Sequence, residues 1–160
     1  MNFKQYEEKI ITDIATLNHP ERVAICSMCC NRLYPLYNTF HKIEQWGNLT
    51  LLAECRQMAK NWLSGSEVKP LDLRNKLEHV IPNTEDFSSV HGTYALNAST
   101  SHVYLLDLIT QDNDILLVYV LHNCYSTIDL YVQELLDPMC KGGISEETIE
   151  NHPAIIAEIN

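Results

Sequence analysis

The sequence predicts an all-α fold, a single-domain bundle of about seven or eight helices spanning residues 1–160. Three observations carry that prediction. Apolar residues recur at steps of three and four through nearly every segment between breakers. Proline, glycine and asparagine punctuate the chain at intervals suited to helix starts and stops. No two alternating segments are joined by a hairpin dipeptide, and no internal repeat is visible. With 160 residues, 46% of them hydrophobic and 20% charged, the chain is long enough for one full core without metal or disulfide support.

The first helix is expected over 2–17, where Phe3, Tyr6, Ile10, Ile14 and Leu17 form one stripe and Glu7, Glu8 and Asp13 lie off it. Asn18-His19-Pro20 stops it and starts the next, with Pro20 at a first helical position and Glu21 where the helix dipole favours an acid. That second helix carries Val23, Cys26, Cys30 and Leu33 inward over 20–34. Pro35 removes a backbone donor, which predicts a kink or restart before Leu36, Tyr37 and Phe40 continue to about Lys42. Trp46-Gly47 is a break. Asn48 suits an N-cap for 49–63, with Leu52, Cys55, Ala59 and Trp62 inward, and Gly65 suits the left-handed position after it. Pro70 opens a helix to about Ile81, closed by Ile81-Pro82.

Thr84 to Phe87 reads as a cap and a short helical turn, and Gly92 as a bend before a helix at about 93–110. Gln111 to Asp114 is a polar turn with two aspartates as cap candidates. Residues 114–136 form the most apolar helix, stopped by Pro138 and Gly142-Gly143. Ser145 caps a short helix with Glu146 and Glu147 in its first turn, and Pro153 restarts a last one to Asn160.

Three blocks of residues together carry a family likeness. The first is Val23, Cys30, Arg32, Tyr34-Pro35, Tyr37 and Phe40. The second is Leu77-Glu78, Ile81-Pro82, Asp86-Phe87, Ala95 and Ala98. The third is Ser126-Thr127-Ile128, Glu146-Glu147, Pro153-Ala154 and Glu158. In this order they resemble the YjaG-like family, small all-helical bacterial proteins of uncharacterised function. The resemblance implies a helical bundle and no activity. It also implies a departure: relatives continue past the Pro153-Ala154 position into another long helix, so a groove filled there is expected to be open here or shared with a partner.

Charge narrows the function classes. Twenty-one acids against 11 Lys and Arg give a net charge of -10. Such a surface repels phosphate chains and anionic lipid, which argues against nucleic acid and membrane partners. The acidic, mixed N-terminus shows no secretory signal, and the apolar run from Ile115 to Leu121 is too short to span a bilayer. Six cysteines in such a chain read as reduced thiols, and a cytoplasmic location is expected.

Candidate chemistry is sparse, and no catalytic, cofactor-binding or metal-ligating residue is assigned. Cys26, Cys29 and Cys30 have an eye-catching spacing, but they lie mid-helix outside any strand–helix context and are expected to be buried small hydrophobes. A zinc site would need a second ligand pair; Cys55 and His41 are the nearest ligands, and neither comes as one. His122, on an apolar stripe, reads as a core histidine bonded to a carbonyl or to Asn97, while His79, His91 and His102 read as partly exposed. Arg32, beside the Pro35 break, is expected to pair with a buried acid such as Asp86 or Glu78. Eight tyrosines exceed what such a core needs and suit an interface.

Three acidic groups remain: Asp107, Asp112 and Asp114; Glu146, Glu147 and Glu150; and Glu85 with Asp86. Each has a capping explanation, but capping does not account for the total charge. These eight residues are the expected docking surface for a basic protein. The expectation is therefore a non-catalytic cytosolic binding protein, in concrete form an immunity protein that covers the active cleft of a cognate basic toxin, a nuclease by its charge. The alternatives are a metal- or thiol-dependent enzyme or sensor using Cys26, Cys29 and Cys30, and a structural protein that self-associates as a homodimer through the open C-terminal groove.

Overall fold

The computed structural model describes residues 3–138 and 142–159. Among these it contains eight α-helices, one 3-10 turn and no strand. The chain runs α1 (Phe3–Ala15), α2 (His19–Glu44), α3 (Leu49–Leu63), α4 (Pro70–Glu78), the turn Thr84–Asp86, α5 (His91–Thr110), α6 (Ile115–Leu136), α7 (Glu146–Glu150) and α8 (Pro153–Ile159).

Local signals set most of these boundaries. Asn18 and Glu21 form a reciprocal capping box at the start of α2. Asn48 accepts from the Thr50 N–H at the start of α3, and Gly65 follows that helix at φ 86°. Ser145 accepts from the Thr148 N–H at the start of α7. Two caps differ from expectation. Asn83 rather than Thr84 accepts from the Glu85 N–H, and Asn113 rather than either flanking aspartate accepts from the Ile115 N–H. An amide oxygen serves there as well as a carboxylate.

Neither Pro35 nor Gly92 separates two helices. Of the kink or restart expected at Pro35, the restart does not occur: α2 is one helix of 26 residues with Pro35 inside it. Pro35 lies on the exposed side, so the carbonyl it strands one turn earlier can turn toward water. Gly92 lies within the first turn of α5 and makes no bend. It is buried, and a Cβ there would meet the Phe87 Cβ at 3.4 Å, so what it supplies is close approach.

Helix α5 is the centre of the bundle, packed by α2, α3, α4 and α6. Its apolar residues include the fully buried Leu105, Leu106 and Leu108. Each such side chain contributes about 1.5–3 kcal/mol relative to exposure. Several of its polar groups are satisfied within the helix: the hydroxyls of Ser99 and Ser101 and Nδ1 of His102 donate to the carbonyls of Ala95, Asn97 and Ala98, each at 2.7 Å. At the seam with α6, Asn97 Nδ2 donates to Thr127 Oγ1, and Asn123 Nδ2 contacts Asn97 O, Thr100 Oγ1 and Ser101 Oγ.

Helix α6 is 22 residues long, and by length and composition alone it could cross a membrane. This corrects the expectation drawn from the run 115–121, because apolar character continues beyond it. In the bundle α6 is a core helix, in contact with α1, α2, α5 and α8.

A second cluster closes the 44–48 corner. Phe40, Trp46 and Phe87 meet edge to face, and the buried Tyr37 hydroxyl donates to Val80 O at 2.9 Å. Gly47, at φ 84°, sits directly against that hydroxyl, where a Cβ would collide with it. Gly47→Ala is expected to destabilise the protein by about 2 kcal/mol or more in urea denaturation, from backbone strain and that collision together. In a Tyr37→Phe background, itself costing about 1–3 kcal/mol, the same change is expected to cost less because the hydroxyl is gone. Equal costs in both backgrounds would assign the whole effect to the backbone.

Candidate partner-docking face

The C-terminal half of α6, residues 142–144 and α7 border a groove. Positions 126, 129, 130, 133 and 134 of α6 follow the 3-4 spacing of one helix face and line it, together with Asp137 just beyond the helix. Gly142 and Gly143, at φ 70° and 107°, turn the chain back so that Ile144 and Ile149 form the opposite wall. The N-terminus of α1 closes one end, where Phe3 N donates to Glu150 Oε1 at 3.3 Å. Two adjoining hollows, of about 400 and 390 Å³, result.

Acids gather here. Glu134 and Asp137 line the first hollow, Asp129, Glu146 and Glu150 the second, and Glu147 a shallower one beyond. Lys4 is the one cationic residue among the described lining of all three. Their field is visible in Tyr125, whose phenol is held above its ordinary range by burial and then by Asp129, Glu150 and Glu146. Burial also raises the Asp129 carboxyl, against the hydrogen bond it accepts from Gln133.

The predicted acids do not share one face. Asp107, Asp112 and Asp114 sit at the α5–α6 turn, one α6 length, about 30 Å, from α7. Two of them hold arginines. Asp107 takes a bidentate contact from Arg74, at 2.5 and 3.2 Å, tying α4 to α5, and Asp112 pairs with Arg22 of α2 at 2.5 Å. Asp114 is exposed at the start of α6. Glu85 and Asp86 are exposed in the 3-10 turn before α5, at the same end of the α5–α6 pair as α7. Sequence reasoning missed Asp129, Glu134 and Asp137; their signal was the polar face of α6 opposite its buried Val132.

A family model described as "Protein of unknown function (DUF416)" matches residues 9–160. The chain belongs to this family. Among solved structures it is similar to a DUF416 family protein from Shewanella baltica OS155, with a TM-score of 0.78 and 16% identity over 99% of this chain and 78% of that one. At that identity the likeness is one of fold. No curated protein matches the chain.

In this DUF416 protein the cysteine run is divided between two interfaces. Cys26 and Cys30 are fully buried near Cys55 of α3, whose thiol donates to His102 O at 3.3 Å. Burial pushes the Cys30 and Cys55 thiols well up. Cys29 faces α6, where a hydrogen bond from the Cys124 thiol, aided by Arg32, holds it below the ordinary thiol range. Cys26 and Cys29 therefore do not act as a pair. Cys140 lies outside the described residues. Among those described, no group of three or more His, Cys, Asp and Glu could hold a metal ion. His41 is engaged with Trp46 O.

Three further expectations are corrected. Arg32 pairs with Glu158 of α8 at 2.6 Å, because Glu78 is taken by Arg74 and Asp86 lies exposed in the 3-10 turn. His122 is not a core histidine: it lies 3.4 Å from Glu7 against the Phe3 ring, where α1 crosses α6, and Asn97 bonds Thr127 instead. His102, expected to be partly exposed, is fully buried. Because its Nδ1 faces a carbonyl, Nδ1 carries the proton in the neutral ring. Nε2 then has no hydrogen-bond partner among the described residues.

Burial lowers the His102 pKa to about 4. Above the unfolded value of about 6.5 both states hold a neutral ring, and His102 makes no pH-dependent contribution. Between about 6.5 and 4 only the unfolded chain takes up the proton, so stability is expected to fall by about 1.4 kcal/mol per pH unit from this group. Urea unfolding at pH 7.5, 6 and 5 measures the slope. His102→Leu is expected to remove about one proton's worth of it, and an unchanged slope would show that the ring ionises freely in the folded protein.

Proposed function

We propose that this DUF416 protein is a non-catalytic, cytoplasmic binding protein that docks a basic protein. In its most concrete form it is an immunity protein that covers the active cleft of a cognate basic bacterial toxin, a nuclease by the charge its substrate demands. The narrower likeness to YjaG-like proteins belongs to the same reading and adds no activity to it. One observation carries the proposal: six acids from α6, the residue that caps it and α7 border a groove with apolar walls, with Lys4 the one cation in its described lining. Such a face steers a cationic surface toward it and fixes register, while the apolar walls supply contact area. The rest of the acidic surface is more evenly paired, through Lys9–Asp13, Lys76–Asp72, Arg74–Asp107 and Arg22–Asp112.

The test is titration of the purified chain against the product of any basic reading frame that neighbours its gene, by calorimetry at low and moderate salt. Reversing Glu146, Glu147 and Glu150 to lysine is expected to weaken association by at least about tenfold and to flatten its salt dependence. Reversing Glu85, Asp86 and Asp114 is expected to have a smaller effect. Reversing Asp107 or Asp112 is expected to lower stability, because each would oppose an arginine it now holds. Binding untouched by the α7 reversals would remove the docking face from α7.

A further inference from the structure

We propose that the hollow between α6 and α7 is an anchor pocket for an arginine side chain of the partner, with Glu134 and Asp137 as its carboxylates and Val90, Leu130, Ile144 and Ile149 as its walls. This rests on the docking reading above and deepens it by naming what the groove takes first. The walls come from the segment before α5, from α6 and from both sides of the α7 entry. An aliphatic stem ending in a delocalised cation matches that division between apolar flank and acidic rim.

The groove's carboxylates have no cation partner among the described residues. Elsewhere a cation orients some acids, as Arg74 does Asp107, Arg22 Asp112 and Arg32 Glu158, and a neutral donor orients others, as the Ser89 hydroxyl does Glu44. In the groove a neutral donor does so. The buried Tyr94 hydroxyl donates to Glu134 Oε2 at 2.6 Å, the Gly142 N–H donates to Asp137 Oδ2 at 2.7 Å, and Gln133 Nε2 donates to Asp129 Oδ2 at 2.6 Å. Each carboxylate is thus fixed through one oxygen, with no cation paired to it among the described residues. Orientation supplied before binding is a cost the complex does not meet later.

Glu134, in the last turn of α6, and Asp137, the residue that caps it, line the same hollow, so a planar donor entering it meets both. A guanidinium presents five donors in a fixed fork and is more weakly hydrated than an ammonium. The pocket therefore selects arginine over lysine. At about 400 Å³ it also has room for the apolar neighbours of that arginine in an extended segment.

The probe is an acetylated, amidated nonapeptide with arginine alternating with leucine, titrated into the full 15N-labelled chain at low salt. The control is the same peptide with citrulline, which keeps the shape and loses the charge. The arginine peptide is expected to shift amide resonances of 130–137 and 144–149, and the citrulline peptide to bind at least about tenfold more weakly. A lysine version is expected to fall between them. Glu134→Gln with Asp137→Asn is expected to weaken the arginine peptide by about tenfold, with the spectrum away from the groove unchanged. Tyr94→Phe, which frees Glu134 to rotate, is expected to weaken it by a few-fold. Equal binding of the citrulline peptide, or binding untouched by the Glu134 and Asp137 changes, would overturn the pocket. If the arginine peptide then still binds and its shifts map to Glu146, Glu147 and Glu150, the docking reading stands and the anchor assignment falls. If it shifts no resonance and the α7 reversals leave partner binding unaltered, both fall.

Discussion

The fold depends on burying α5 on every side. A helix covered by α2, α3, α4 and α6 together hides unsatisfied polar groups only at a cost, and it cannot admit a large residue at each close crossing. The sequence meets both demands, with His102 Nε2 the exception among the described residues. Gly92, Ala95, Ala98, Ser99 and Ser101 are small, and the hydroxyls among them return their hydrogen bonds to the helix's own carbonyls. The large residues Leu105, Leu106 and Leu108 then fill the other end of the same helix. Each surrounding helix has its inward face set by what α5 offers it.

Charge is distributed around that core in two ways. Arginines reach from α2 and α4 to aspartates at the C-terminal end of α5, and from α2 to α8, so part of the acidic excess serves to tie helices together. These ties span 90, 33 and 126 residues of sequence, and they give Asp107, Asp112 and Glu158 a place in the architecture. Other acids join elements through neutral donors, as Glu134 does with Tyr94 and Glu150 with the Phe3 N–H, and the acids of α6 and α7 gather beside one groove.

The elements themselves were legible because their signals are local. Asn18 with Glu21, Asn48, Ser145 and the Pro and Gly positions act within one turn, so reading them needs no tertiary structure. Pro35 misled because its effect depends on which side of α2 it occupies, and an exposed proline leaves a carbonyl that water can serve. His102 and His122 were assigned opposite environments to those found. Helix α5 has apolar residues on all faces, so periodicity cannot rank its positions, and the crossing of α1 over α6 that brings Glu7 to His122 is a packing event. The acids show the same limit. Whether Asp107 is free depends on an arginine 33 positions earlier, and whether Glu134 is oriented depends on a tyrosine 40 positions earlier.

The Asn97, Asn123 and Thr127 seam constrains how the α5–α6 hairpin can deform. Sliding one helix past the other by a single turn, about 5.4 Å, would break the contacts of the Asn123 amide with its three acceptors in a partly buried seam. Axial shear is therefore opposed in this hairpin. Any adjustment on meeting another molecule has to come from tilt of the short terminal segments or from side-chain rearrangement, while the long pair behaves as one stiff beam.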